Sequence, residues 1–313
     1  MIRRLLDKPL IRGDMDARMG SNVNGPSLIR VPDWIETPLG SYYLYFADHK
    51  GSYIRLAYAD AITGPWRIHT PGALQLADSR FATEKADARF TETARAAWGP
   101  LGEQAILQPH IASPDVHVDD ARQEIRMYFH GMLENADQMT RVALSRDGID
   151  FNALPELLGP PYFRVFEYDD WYYGLAMPGT FLRSRDGLSD FETGPSLFQP
   201  TMRHCAVRVV EYTLEVFWTR VGDAPERILF SRVDLRGDWR NWISSEPVSV
   251  LEPERDWEGA GLPLVPSVLG EMNRPVNQLR DPCLYEEDDR LFLLYSGAGE
   301  TCLGLAEVTE LGI

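Results

Sequence analysis

Along this chain, short and nearly unbroken apolar runs alternate with compact polar turns. Five of the runs are rich in aromatic and β-branched residues and predict strands: 42–46, 125–129, 171–175, 214–218 and 291–295. After each comes a strand-like segment ending near a small residue: Ala59, Ser145, Ser184, Ser231 and Ala306. Before each lies another strand candidate, at 26–30, 114–118, 163–166, 205–209 and 282–285, three of them opened by proline. A proline at the first residue of a strand removes no ladder hydrogen bond. Acidic turn signals, Asp119-Asp120, Asp169-Asp170 and Glu287-Asp288-Asp289, divide the first strand from the second.

The small residues recur at intervals of 86, 39, 47 and 75. A four-stranded propeller blade takes about 40–50 residues, so two intervals fit and two carry insertions. The expectation is an all-β fold: a single five-bladed β-propeller over 1–313 with four-stranded blades at about 22–70, 109–158, 159–200, 201–250 and 279–313. The insertions fall at 71–108 and 236–278. In the first, 81–86 and 91–98 have helical composition; the second, rich in Trp, Glu, Pro and Gly, reads as loop.

In a propeller the first strand of each blade lines the axis, so residues opening those strands should share one funnel. They are Asn24-Gly25-Pro26 in blade one, Ser113-Pro114-Asp115-Val116-His117 in blade two, and Tyr162-Phe163-Arg164 in blade three. Arg203-His204 open blade four and Arg280-Asp281-Pro282 open blade five. Trp257-Glu258-Gly259 lie just before that last blade, and Gly297-Ala298-Gly299-Glu300 follow its second strand.

These openings resemble those of the five-bladed glycoside hydrolase superfamily, the furanosidase-type enzymes of families 43, 32, 68, 62, 117 and 130. Ser113-Pro114-Asp115-Val116 is similar to an Ala-Pro-Asp-Val element there, Arg280-Asp281-Pro282 to an Arg-Asp-Pro, and Trp257-Glu258-Gly259 to a Glu-Gly that carries the general acid. The resemblance spans about 22–310 and implies cleavage of a glycosidic bond by a funnel carboxylate pair. It departs in blade one, where the expected aspartate falls on Gly25 beside Asn24. It departs again in blade three, where Pro160-Pro161-Tyr162 replaces an Asp-Pro.

Glycoside cleavage needs one carboxyl that donates a proton and one that is ionised. Glu258 is the expected acid, with Trp257 as the desolvating neighbour. Asp281 is the expected base, held ionised by Arg280, and Asp115 tunes the pair. Substrate contacts are assigned to Asn24, His117, Arg164, Arg203, His204, Arg280 and Trp257. The arginines suggest an anionic group on a small saccharide. Phosphorolysis, a non-catalytic sugar-binding propeller, and a lyase or isomerase using His204 or His117 as base are the alternatives. Neither HxH nor HExxH spacing occurs, so no metal and no other cofactor is expected.

Charge and cysteine content narrow the setting. Lys plus Arg total 31 against 47 Asp plus Glu, a formal charge of −16, which opposes nucleic-acid and anionic-membrane partners. No apolar stretch is long enough to span a bilayer and no signal peptide opens the chain. The three cysteines, Cys205, Cys283 and Cys302, have no CxxC spacing. A cytoplasmic location is expected.

Overall fold

The computed structural model describes residues 1–90, 92 and 107–310. Strands β1 (Ile2–Arg4) and β2 (Ile11–Arg12) precede the first blade. Blade one is β3 (Asn24–Arg30), β4 (Tyr42–Ala47), β5 (Tyr53–Ala59) and β6 (Arg67–Gln75). Blade two is β7 (Ile111–Asp119), β8 (Glu124–Met132), β9 (Gln138–Ser145) and β10 (Asn152–Ala153). Blade three is β11 (Arg164–Tyr168), β12 (Trp171–Ala176), β13 (Thr180–Ser184) and β14 (Glu192–Ser196). Blade four is β15 (Met202–Val210), β16 (Thr213–Arg220), β17 (Ile228–Asp234) and β18 (Val248–Leu251). Blade five is β19 (Arg280–Glu287), β20 (Arg290–Gly297) and β21 (Cys302–Val308), and both β1 and β2 pair with β21 as its outer strand. Each sheet is an antiparallel meander, and the amino-terminal strands close the ring.

The apolar runs are continuous because each middle strand is buried on both faces. In β4, Tyr43 and Tyr45 face blade two, while Tyr42, Leu44 and Phe46 pack toward blade five. Five such inter-blade clusters hold the ring together.

The repeated Ser-Arg-Asp-Gly turns belong to the same device. The Tyr45 hydroxyl donates to the Gly148 carbonyl (2.7 Å), and Tyr128 donates to that of Gly187 (3.0 Å) in the following blade. Both glycines have φ near +72°.

The insertions differ in part from expectation. Residues 81–86 form no helix. The chain turns on the Ser79 hydroxyl, Ala82 bonds the Met132 carbonyl, and Phe81 packs edge-on against Phe129 at 5.6 Å. Contacts to blade two therefore override local helix propensity. Apart from Glu92, the 91–98 stretch lies outside the described residues. Among the described residues no helix is long and apolar enough to cross a membrane.

Candidate active site

Antiparallel meandering fixes which residues meet at one end of the axis. The first strand of each blade starts there, and the loop joining the second strand to the third returns there. Four of the five inner strands open on a residue with positive φ: Gly25 (+58°), Ser113 (+52°), Tyr162 (+57°) and Asp281 (+47°). Register shifts between Asn24 and Ser27, Ala112 and Asp115, Met202 and Cys205, and Arg280 and Cys283 put a bulge at this point. Such bulges re-aim side chains and recur beside functional sites. A Cβ on Gly25 would lie 3.1 Å from the Ser113 Cα, so an aspartate is not simply accommodated there.

The converging side chains form a buried polar cluster. Asp281 is 2% exposed; its Oδ1 is 2.5 Å from His204 Nδ1, and its Oδ2 accepts from Ser296 (3.1 Å). Burial pushes the Asp281 carboxyl up, but His204 and Arg203 outweigh it and hold it below the usual range. Burial lowers the His204 imidazole despite Asp281. At neutral pH the pair is a carboxylate beside a neutral imidazole.

Arg280 is fully buried between Glu226 (3.0 Å) and Glu300 (2.7 Å), and also donates to the Gln278 side chain and the Gly270 carbonyl. Glu300 accepts further bonds from Asn22 (2.9 Å), Asn24 (3.2 Å) and the Met272 amide (3.3 Å), with His49 at 3.3 Å. Against the cost of burial, His49 and Arg280 hold its carboxyl well below the ordinary value. Glu226 differs: Arg203 stands at 3.5 Å, yet neither of its oxygens accepts a hydrogen bond.

A ladder of rings runs through the cluster. His130 and Tyr162 lie 4.5 Å apart, as do Tyr162 and His204, and His110 faces His130 at 5.9 Å. Burial pushes His110 down to about 3 and His130 well below the usual imidazole range. Buried polar atoms without hydrogen-bond partners include Asn24 Oδ1, His110 Nε2, His130 Nδ1 and Gln278 Nε2. Buried polar atoms are rarely left unpaired, so such a concentration marks a place built to meet a ligand.

Asn24, Arg203, His204, Arg280 and Asp281 thus share one end of the axis. Asp115, His117 and Arg164 do not join them; they lie farther along the channel. The free edges of the inner strands expose backbone groups that need partners. Arg164 donates to the carbonyls of Cys205 (3.0 Å), Pro114 (3.1 Å) and Ser113 (3.3 Å), bridging three blades. Asp115 accepts from the Val165 amide (2.8 Å) and from His117 Nε2 (2.9 Å). Arg164 and Asp115 therefore plug the channel. No basic spot results, since Arg203 and Arg280 face carboxylates and Arg164 faces carbonyls.

Glu258 is fully buried elsewhere, between Arg4 (2.7 Å), Tyr295 (2.6 Å) and the amides of Glu254 and Arg255. Burial raises its carboxyl, but the Arg4 and Tyr295 bonds outweigh this and leave it lowered. That is opposite to what an acid needs. Trp257 stacks on Tyr295 (6.3 Å between rings) rather than facing the axis. Sequence reasoning missed Glu226 and His49 and treated Glu300 as a turn residue. All three sit in loops joining second and third strands, and meander connectivity is the signal that points to them. Among the described residues, no group of three or more His, Cys, Asp or Glu is arranged to hold a metal ion.

No protein-family model matches the chain. Protein R118 of Acanthamoeba polyphaga mimivirus, itself uncharacterised, is 33% identical over 315 residues, spanning 92% of this chain and 84% of its own. The chain belongs to the R118 family. Its fold is that of the five-bladed family-43 glycoside hydrolases. The β-xylosidase/α-arabinofuranosidase CoXyl43 from a compost metagenome superposes with a TM-score of 0.60 at 13% identity, covering 100% of this chain and 96% of its own. The Cellvibrio cellulosa α-L-arabinanase gives 0.53 at 11% identity, with 93% of each chain covered. The family-43 enzyme of Xanthomonas citri gives 0.57 at 11%, covering 97% and 90%. At these identities the likeness speaks for the scaffold alone. Those three structures were solved with xylotriose, arabinohexaose and xylotriose respectively.

Proposed function

We propose that this R118-family protein is a glycosidase that hydrolyses a small, uncharged saccharide at the axial cluster. The observation that carries this reading is the set of partnerless buried polar atoms around Asp281, Glu226 and Tyr162. They include donors and acceptors together, which suits hydroxyl groups. Asp281, held ionised, serves as base or nucleophile. Glu226 is the second carboxylate: it is ion-paired with Arg280 and Arg203 but accepts no hydrogen bond, while the oxygens of Glu300 and Glu258 are all taken by hydrogen-bond donors. Every arginine of the cluster already faces protein acceptors, which favours a neutral substrate over the anionic one suggested by sequence.

The test is turnover of a panel of aryl glycosides and neutral oligosaccharides. Asp281→Asn and Glu226→Gln are each expected to lower kcat/KM by about 10³-fold or more in protein that still folds, as read by circular dichroism at the assay temperature. Added inorganic phosphate should leave the rate unaltered. Full activity in both variants sinks the assignment.

A second reading rests on the His204–Asp281 pair. A neutral imidazole oriented by a carboxylate is suited to proton abstraction, and an elimination would release an unsaturated product with new ultraviolet absorbance. Hydrolysis of a neutral oligosaccharide releases none.

A further inference from the structure

A cleft of about 680 Å³ lies at the opposite mouth of the channel. Its walls are residues of all five inner strands and of the turn that follows β3. The Arg164–Asp115 plug forms part of its floor, so it is a separate compartment from the axial cluster. We infer that this far cleft is a second, non-catalytic binding site for an uncharged saccharide, with Trp34 as its platform and His117 and Asp120 as hydroxyl partners.

The lining carries the chemistry such a ligand needs. Trp34 is half-buried, and its indole N–H donates to Asp120 Oδ1 at 3.0 Å, pinning a ring from blade one to the first turn of blade two. A fixed aromatic face suits the apolar C–H face of a sugar ring. The floor between polar groups is apolar, formed by Leu28, Val116 and Ala206. His117 is 41% exposed, uses Nε2 on Asp115, and packs edge-on against Tyr128 at 5.8 Å. Its orientation is thereby set, and Nδ1 is left for a ligand hydroxyl. A pocket of this size with a few placed polar groups on an apolar lining is the usual form of a small-molecule site.

Charge disfavours an anionic ligand. Asp33, Asp120 and Glu286 line the rim, while Arg30 is paired with Glu287 at 2.8 Å and Arg164 is engaged by carbonyls, so an anion meets carboxylates without a spare cation. A neutral hydroxylated ring meets no such penalty.

The test is binding to the full-length protein, followed by calorimetry, of neutral trisaccharides (xylotriose, arabinotriose, galactotriose and maltotriose) against trigalacturonate. At least one neutral trisaccharide is expected to bind, with trigalacturonate about tenfold weaker or worse. Trp34→Ala and His117→Ala should each weaken that binding by about tenfold while the circular dichroism spectrum at the binding temperature stays that of the unaltered protein. Absence of binding by every neutral trisaccharide at millimolar concentration overturns the proposal. So does unaltered binding in both variants, or equal affinity for trigalacturonate. The outcome is independent of catalysis: turnover of a small aryl glycoside reports on the axial cluster, whereas these variants report on the far cleft.

Discussion

His110 and His130 are two imidazoles kept neutral inside the protein by burial, reinforced by Lys50 beside His110 and by His110 beside His130. Their folded values lie below the ordinary imidazole value of about 6.5, so below that pH the unfolded chain binds protons that the folded chain refuses. Stability should therefore fall as pH drops, by about 1.4 kcal/mol per pH unit for each such imidazole. Urea midpoints measured from neutral pH down to about pH 5 read this effect together with that of His204, which burial also lowers, and against that of His117, which, despite burial, Asp115 raises. His110→Gln should flatten the slope; an unchanged slope would mean the ring is not neutral. Asp281, His204, Arg203 and Arg280 were legible because they open inner strands. Asp115 and Arg164 also stand near strand openings, but their partners are backbone groups of neighbouring blades, which no single segment reveals.

At the level of elements, the Ser-Arg-Asp-Gly turns couple one blade to the next. Gly148 combines φ of +72° with a close approach: a Cβ there would stand 2.9 Å from the Tyr45 hydroxyl and 3.0 Å from Ile125 Cδ1. Gly148→Ala should cost about 1–3 kcal/mol, seen as a lower thermal midpoint, whereas a glycine in open space such as Gly237 lacks this packing term. The strand pattern was read directly from sequence because burial on both faces leaves an unmistakable apolar run. Residues 81–86 were not, because Ala82 and Ala86 take their hydrogen bonds from Met132 and Leu107 rather than from their own turn.

For the whole molecule, ring closure depends on β1 and β2. They cover the edge of β21, with Ile2 opposite Val308 and Ile11 opposite Leu303. Arg4 also ties this strand to buried Glu258. Deleting residues 1–12 should expose the β21 edge and leave Glu258 without its cation, giving a lower melting temperature and association on size exclusion. A truncated protein that elutes like the intact one and keeps its midpoint would show that closure does not rest on these strands. By itself the sequence determined the five repeats, the strands and the residues opening each inner strand, because these are local consequences of burial period and turn chemistry. Only the tertiary structure decided which end of the axis each charge faces, that Arg164 plugs the channel, and that Glu226 and Glu300 meet Arg280. The reason is physical: a buried charge takes its role from partners far away in the chain, and those distances exist only after the ring has closed.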